Sequence, residues 1–333
     1  MSTSPTRTTT DPATAAPADR GAPVPERRTT RGRLVARRFV RNWQAVFGLC
    51  VIVLLFALAY VGPLVSPWGY AESDYTAFLQ PPSAEHWFGT TQIGNDVFAQ
   101  TIRGLQKSLV IGLLVGLIST GLASVVGAAA GYFGGRTDRI LMWFTDLLLV
   151  LPAFLILAIL SPFFRGKTWL VFVALLAAFF WMITARIVRG MTLTLKEREY
   201  VTAARFMGVP AWKIIARHIM PNMASLLIID ATITVGTAIL LESGLSYFGF
   251  GVQAPDVSLG TLIATGTGSA LTFPWLFLFA AGFLVVAVLS VNLVGDGLRD
   301  ALDASSARGT KKDEDPSPSG PDSPVGAPRS ATV

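Results

Sequence analysis

Apolar residues in this chain fall into long blocks rather than at the spacing of an amphipathic helix or a half-buried strand. A helix needs about 20 residues to cross a hydrocarbon core of about 30 Å. Six blocks meet that length: residues 43–65, 108–133, 140–160, 168–187, 223–241 and 273–294. The pattern predicts an all-α integral membrane protein with six transmembrane helices. The first, second and sixth blocks carry no charge. The third holds Asp146 and the fifth Asp230, each within about two turns of the end of its block, where a carboxylate reaches water or a backbone partner. Neither placement demands a proton relay. Pro152 interrupts backbone hydrogen bonding in the third block and predicts a kink there.

Polar flanks set the orientation, because positive charge beside a span is retained in the cytoplasm. Of the 27 Lys and Arg residues, nine lie in 1–42, two at Arg136 and Arg139, seven in 186–217 and five from Arg299 onward. Only Arg103, Lys107, Arg165 and Lys167 fall on the other side. Both termini, and the 196–222 loop, are therefore expected in the cytoplasm. Residues 1–32 and 304–333 are mixtures of Pro, Ser, Thr, Ala and Gly with too few apolar positions to offset chain entropy, and are expected to be disordered tails. Between the first tail and the first block, residues 33–42 place Val35 and Phe39 at helical spacing among basic side chains. This flank is either an amphipathic anchor in the headgroup plane or a solvated orientation signal.

Composition agrees with the pattern. The chain of 333 residues is 52% hydrophobic and 14% charged, with mean hydropathy +0.53, too apolar for a soluble globule. The net charge of +6 follows from the orientation signal and favours anionic lipid rather than nucleic acid. Cys50 is alone and has no partner for an intramolecular disulfide. His86 and His218 fall on opposite sides of the expected membrane, so they cannot form a metal or catalytic cluster between them.

The 196–222 loop has a helical pattern of its own. Glu199, Thr202, Ala203 and Ala204 lie within about three turns, with the two alanines on one side and Gly208 placed to stop the helix in a left-handed conformation. Val209-Pro210 restarts the chain, and Pro221 is expected to mark the next boundary. Two short helices at an angle make a stiff elbow between two spans.

The spacing Ala203-Ala204, Gly208, Met220-Pro221 resembles the cytoplasmic loop by which permeases of binding-protein-dependent ABC importers dock on a separate ATPase. Three further segments are similar to the C-type subunit of the dipeptide and oligopeptide permease family. They are the run from Pro81 to Phe98 with Gly131-Tyr-Phe-Gly-Gly135, the run Glu242-Ser-Gly-Leu-Ser-Tyr-Phe-Gly249-Phe-Gly251, and the run Asn292-Leu-Val-Gly-Asp296-Gly-Leu-Arg299-Asp300. The resemblance covers roughly residues 35–303. It implies a non-enzymatic membrane subunit that binds no cofactor itself, with ATP and Mg held by two cytoplasmic ATPase subunits. It also implies a homologous second permease and an extracytoplasmic solute-binding protein, in the bacterial plasma membrane. The cargo is then di- or oligopeptides, or, in similar permeases, nickel chelates, glutathione-type conjugates or oligosaccharides. A secondary transporter driven by an ion gradient is the reading of another class. The sequence departs from the family pattern at Thr202, where the motif has Glu, and at Met220, where it has Leu; Glu199 is a substitute carboxylate.

Gly112, Gly116, Gly127 and Gly131, with Thr120 and Ala123, line one face of the second block at steps of three or four. Such a stripe lets backbones approach closely, here favouring packing within the subunit over a subunit interface or a pore lining. The external segment 62–107 carries four prolines and is expected to cap the outer mouth. Arg165-Gly166-Lys167-Thr168 ends like a P-loop, but Ser161 stands where the first glycine belongs and the fragment faces outside.

Overall fold

The computed structural model describes residues 31–164 and 169–303. The remainder of the two tails and the Arg165–Thr168 link lie outside the described residues. Helix α1 (Arg31–Arg41) begins two residues before the expected flank and is followed at once by α2 (Trp43–Val65). Asn42 makes the joint: its side chain accepts hydrogen bonds from the backbone N–H groups of Gln44 and Ala45. That is the usual work of an N-cap Asn.

Helix α3 (Val97–Phe133) is 37 residues long, so it begins 11 residues before the apolar block that announced it. Asp96 caps it, accepting from the Ala99 N–H at 2.7 Å. The extra turns carry Arg103 and Lys107, which are tolerated because Asp256 accepts from both, at 3.2 and 3.1 Å. The irregular part of the external segment is correspondingly shorter, 66–96. The third block is broken in two, α4 (Gly135–Val150) and α5 (Ala153–Leu160), at an angle of 81°. Pro152 sits in the break and forms the N-cap position of α5. Helix α6 (Trp169–Leu195) follows.

Next come α7 (Glu199–Phe206), α8 (Ala211–Ile214), a π-turn (Ile215–Ile219) and α9 (Met220–Tyr247). Pro221 lies in the first turn of α9, at its junction with the π-turn, although the helical backbone continues through that junction from Ala211 to Tyr247. A proline inside a helix leaves one carbonyl unpaired and crowds it. The wider π-turn just before Pro221 makes room, with the Met220 N–H reaching back to the Ile215 carbonyl. Helix α10 (Leu259–Thr267) was not anticipated. Its signal was present as Ser258 and Thr261, which form a reciprocal capping box. Helix α11 (Trp275–Asp303) closes the described chain.

Close approaches fix the helix directions. Gly62 meets Ile102, Gly48 meets Leu293 and the Ser290 carbonyl, Gly116 meets Val235 and Ala231, and Gly127 meets Ala185 and Val188. Helices α3 and α6 are thus parallel, while α9 and α2 oppose them. The 66–96 cap and the 248–274 segment gather at one end of the bundle. The α1–α2 joint, 134–138 and 196–219 gather at the other. Among the described residues five helices are long and apolar enough to cross a membrane, or six when the bent α4–α5 pair is taken as one span.

Candidate coupling site

Helix α7 ends in a tight hydrogen-bonded cap. The Val209 N–H donates to the Ala204 carbonyl and the Gly208 N–H to the Arg205 carbonyl, both at 3.1 Å. This is the Schellman arrangement, which requires a left-handed residue at the turn. Gly208 supplies it with φ +76°, and a Cβ there would meet nothing within 4 Å. The requirement at Gly208 is therefore conformational and not one of space.

One face of α7 is buried and the other is bare. Val201 and Ala204 pack with Ile214, Ile219 and Met223 of the following helix and with Ala128 of α3 and Val188 of α6. The elbow is thereby welded to three membrane helices. On the outer face Glu199, Thr202 and Ala203 are exposed, as are Phe206, Met207 and Trp212, at 87%, 76% and 70%. Burying these last three would release apolar area at about 25 cal/mol per Å². Glu199, in the first turn of α7, lies where the helix dipole favours negative charge. Pro221 is exposed at the junction with the span. Neighbouring Asn222 donates to the His218 carbonyl at 2.6 Å and to the Tyr200 hydroxyl at 3.3 Å, tying α7 to the π-turn.

The glycine stripe of α3 faces two helices of the same chain. Gly112 and Gly116 lie against Ile239, Val235 and Ala231 of α9, and Gly127 and Gly131 against Val188, Ala185, Thr192 and Arg189 of α6. Polar contacts accompany this packing. Thr184 and Thr120 donate to the two oxygens of Asp230, at 2.7 and 3.1 Å. Arg189 meets Asp138 in a two-pronged ion pair at 2.5 and 2.6 Å, and Arg186 pairs with Asp146. Bidentate Arg–carboxylate pairs are the stronger kind. The partners of Asp138, Asp146 and Asp230 lie 40 or more residues away, so none of these pairs was visible in the sequence.

Glu242, at the far end of α9, is fully buried. Its oxygens accept from Ser108 at 3.0 Å and Ser246 at 2.6 Å. Ser108 in turn accepts from the Leu259 N–H, and Ser246 from the Val252 N–H. Glu242 thereby fastens the 248–259 segment to α3 and α9.

A long-helix bundle with a stiff elbow between α6 and α9 is the architecture of a transport permease. Residues 123–308 match the family described as binding-protein-dependent transport system inner membrane component, and residues 30–82 match the N-terminal transmembrane domain of oligopeptide transport permease C. The chain belongs to the first of these families and, within it, goes with the C-type permeases. The oligopeptide transport system permease protein OppC of Mycobacterium tuberculosis is 55% identical over 278 residues, covering 83% of this chain and 96% of that protein. The proteins of the same name from Bacillus subtilis and Haemophilus influenzae are 37% and 39% identical, each over 80% of this chain and over 87% and 86% of their own lengths.

Proposed function

We propose that this chain is one half of the membrane channel of an ATP-driven importer of di- and oligopeptides, working by alternating access. The observation that carries the reading is the bare aromatic and aliphatic face of α7 and α8, held rigidly to α9 by its buried side. An attached ATPase pushing on Phe206, Met207 and Trp212 moves the membrane helices rather than a slack loop. Two cytoplasmic ATPase subunits occupy such faces on this chain and on a homologous second permease, with ATP and Mg held by the ATPases. The opposite end, with the 66–96 cap, then faces outward and receives the solute-binding protein, and both termini are cytoplasmic. The charge distribution supports that orientation, and the names of the relatives support the peptide cargo.

The test is uptake of a labelled tripeptide and of labelled nickel by cells lacking the gene, with and without its restoration. Loss and rescue of peptide uptake is the expected result. Loss of nickel uptake alone overturns the cargo and keeps the machine. Transport by the chain with no ATPase present overturns the ATP-driven mechanism in favour of an ion-coupled one.

A further inference from the structure

At the end of the bundle away from α7, the start of α3, the 91–95 loop, α10 and the start of α11 enclose a cavity of about 430 Å³. That lies within the range of about 300–1,000 Å³ usual for small-molecule sites. Ile93, Val97, Val257, Leu262 and Leu276 give it apolar walls.

Apart from Asp256, its polar lining is uncharged. The amide nitrogen of Gln92 donates to Ser269, that of Gln100 to the Tyr70 carbonyl, and that of Asn95 to the Glu72 carbonyl and the Ser73 hydroxyl. All three keep a side-chain carbonyl oxygen to offer, and Gln92 and Gln100, each with a single donated bond, also keep one N–H. Thr101 also lines the cavity and is fully buried, and its hydroxyl has no hydrogen-bond partner among the described residues. A buried hydroxyl left unpaired is costly, so a bound group that meets it is favoured. The one carboxylate on the wall, Asp256, is already met by Arg103 and Lys107.

The geometry points to a subsite for a short peptide with apolar side chains. A side chain fills the apolar walls, and peptide N–H and C=O groups meet the side-chain amides of Gln92, Asn95 and Gln100, with Thr101 completing the set. Peptides rich in Asp or Glu are disfavoured, because their carboxylates would be desolvated against apolar walls beside Asp256, which already engages the cations Arg103 and Lys107. This rests on the import reading above and adds to it a place where cargo rests on the permease itself before entering the channel.

The test uses the assembled permease–ATPase complex in proteoliposomes. In a Cys50→Ser background, Gln100→Cys is labelled with a small methanethiosulfonate reagent, with trileucine or triglutamate as competitor and the binding protein left out. Trileucine is expected to slow labelling about fivefold, and triglutamate to leave it unchanged. With the binding protein restored, Thr101→Val is expected to raise the trileucine concentration for half-maximal uptake about fivefold at an unchanged maximal rate. Labelling that ignores trileucine, or slows equally with triglutamate, in a complex that still imports trileucine overturns the subsite and leaves the import reading standing. Failure of the wild-type complex to import any peptide overturns both.

Discussion

Thr184 of α6 donates a 2.7 Å hydrogen bond to Asp230 of α9, and the other carboxylate oxygen of Asp230 accepts from Thr120 of α3 at 3.1 Å. One side chain thereby joins three helices at a level where neutral packing would otherwise be the only adhesive. Helix α9 is also the direct continuation of the α8 elbow, so this joint lies in line with the proposed coupling surface. Asp230→Leu removes both acceptors and leaves two buried hydroxyls to find other partners, at a cost of about 1–3 kcal/mol. Asp230→Asn retains an acceptor for one of them and is expected to cost less. The unfolding temperature of the purified chain in detergent should fall in the order wild type, Asn, Leu. A Leu variant as stable as the wild type would show that the joint contributes nothing.

Helix α3 gives a matched pair of glycines, Gly127 on the packed stripe and Gly121 on an open face. At Gly127 an added Cβ would lie 2.4 Å from the Ala185 carbonyl oxygen and 2.8 Å from Val188, whereas at Gly121 it would meet nothing within 4 Å. Gly127→Ala must push α6 away and is expected to cost about 1–3 kcal/mol. Gly121→Ala should stay within about 0.5 kcal/mol of wild type. Thermal unfolding of the two variants side by side decides it, and equal loss at both sites would mean that the α3–α6 approach does not limit stability.

The 66–96 cap contains an acid-sensitive contact. Asp74 accepts from the Thr76 hydroxyl at 2.6 Å and the Thr76 N–H at 2.8 Å, and its second oxygen is 3.5 Å from Nε2 of His86. The Thr76 hydroxyl first, then the Thr76 N–H and the His86 ring, hold its carboxyl below the usual carboxylate range. A carboxyl depressed in the folded state contributes stability that is full above its unfolded value and is lost as pH falls through the folded one. The cap is therefore expected to loosen as pH falls below about 4. Protease cleavage within 66–96, followed against pH, should show that rise in the wild type. In Asp74→Asn the rise should be smaller, with faster cleavage at neutral pH. An identical pH profile in the two proteins would rule Asp74 out as its source.

What could be read in advance divides by the range of the interaction. Blocks of apolar residues place helices because solvation acts residue by residue, and Gly208 announced its left-handed turn because a cap is decided within a few positions. Helix α3 extends beyond its apolar block because the charges of Arg103 and Lys107, which end the apolar run, are met by Asp256 some 150 residues onward. Asp230 lies ten residues into α9, and the joint it makes was not legible because its partners Thr184 and Thr120 are 46 and 110 residues away. Nothing in the sequence around Thr101 singles it out. A threonine on a helix is unremarkable until the surrounding elements close over it and leave its hydroxyl alone.

The coupling surface can be tested with a pair of side chains that differ in charge alone. Gly208 lies at the turn after α7 with φ +76° and open space around it, next to the exposed Phe206 and Met207. Asn and Asp both tolerate the left-handed region better than other side chains, so Gly208→Asn and Gly208→Asp should each fold and insert. Asn adds a small polar group to a surface proposed to dock on the ATPase, while Asp adds a charge that must be desolvated there without a partner, at several kcal/mol. Gly208→Asp is expected to abolish peptide uptake and to release the ATPases from the solubilised complex. Gly208→Asn should keep both to a substantial degree. Equal uptake by the two variants would mean that this turn is not part of the contact, and the proposed docking face would have to move elsewhere on the same end of the bundle.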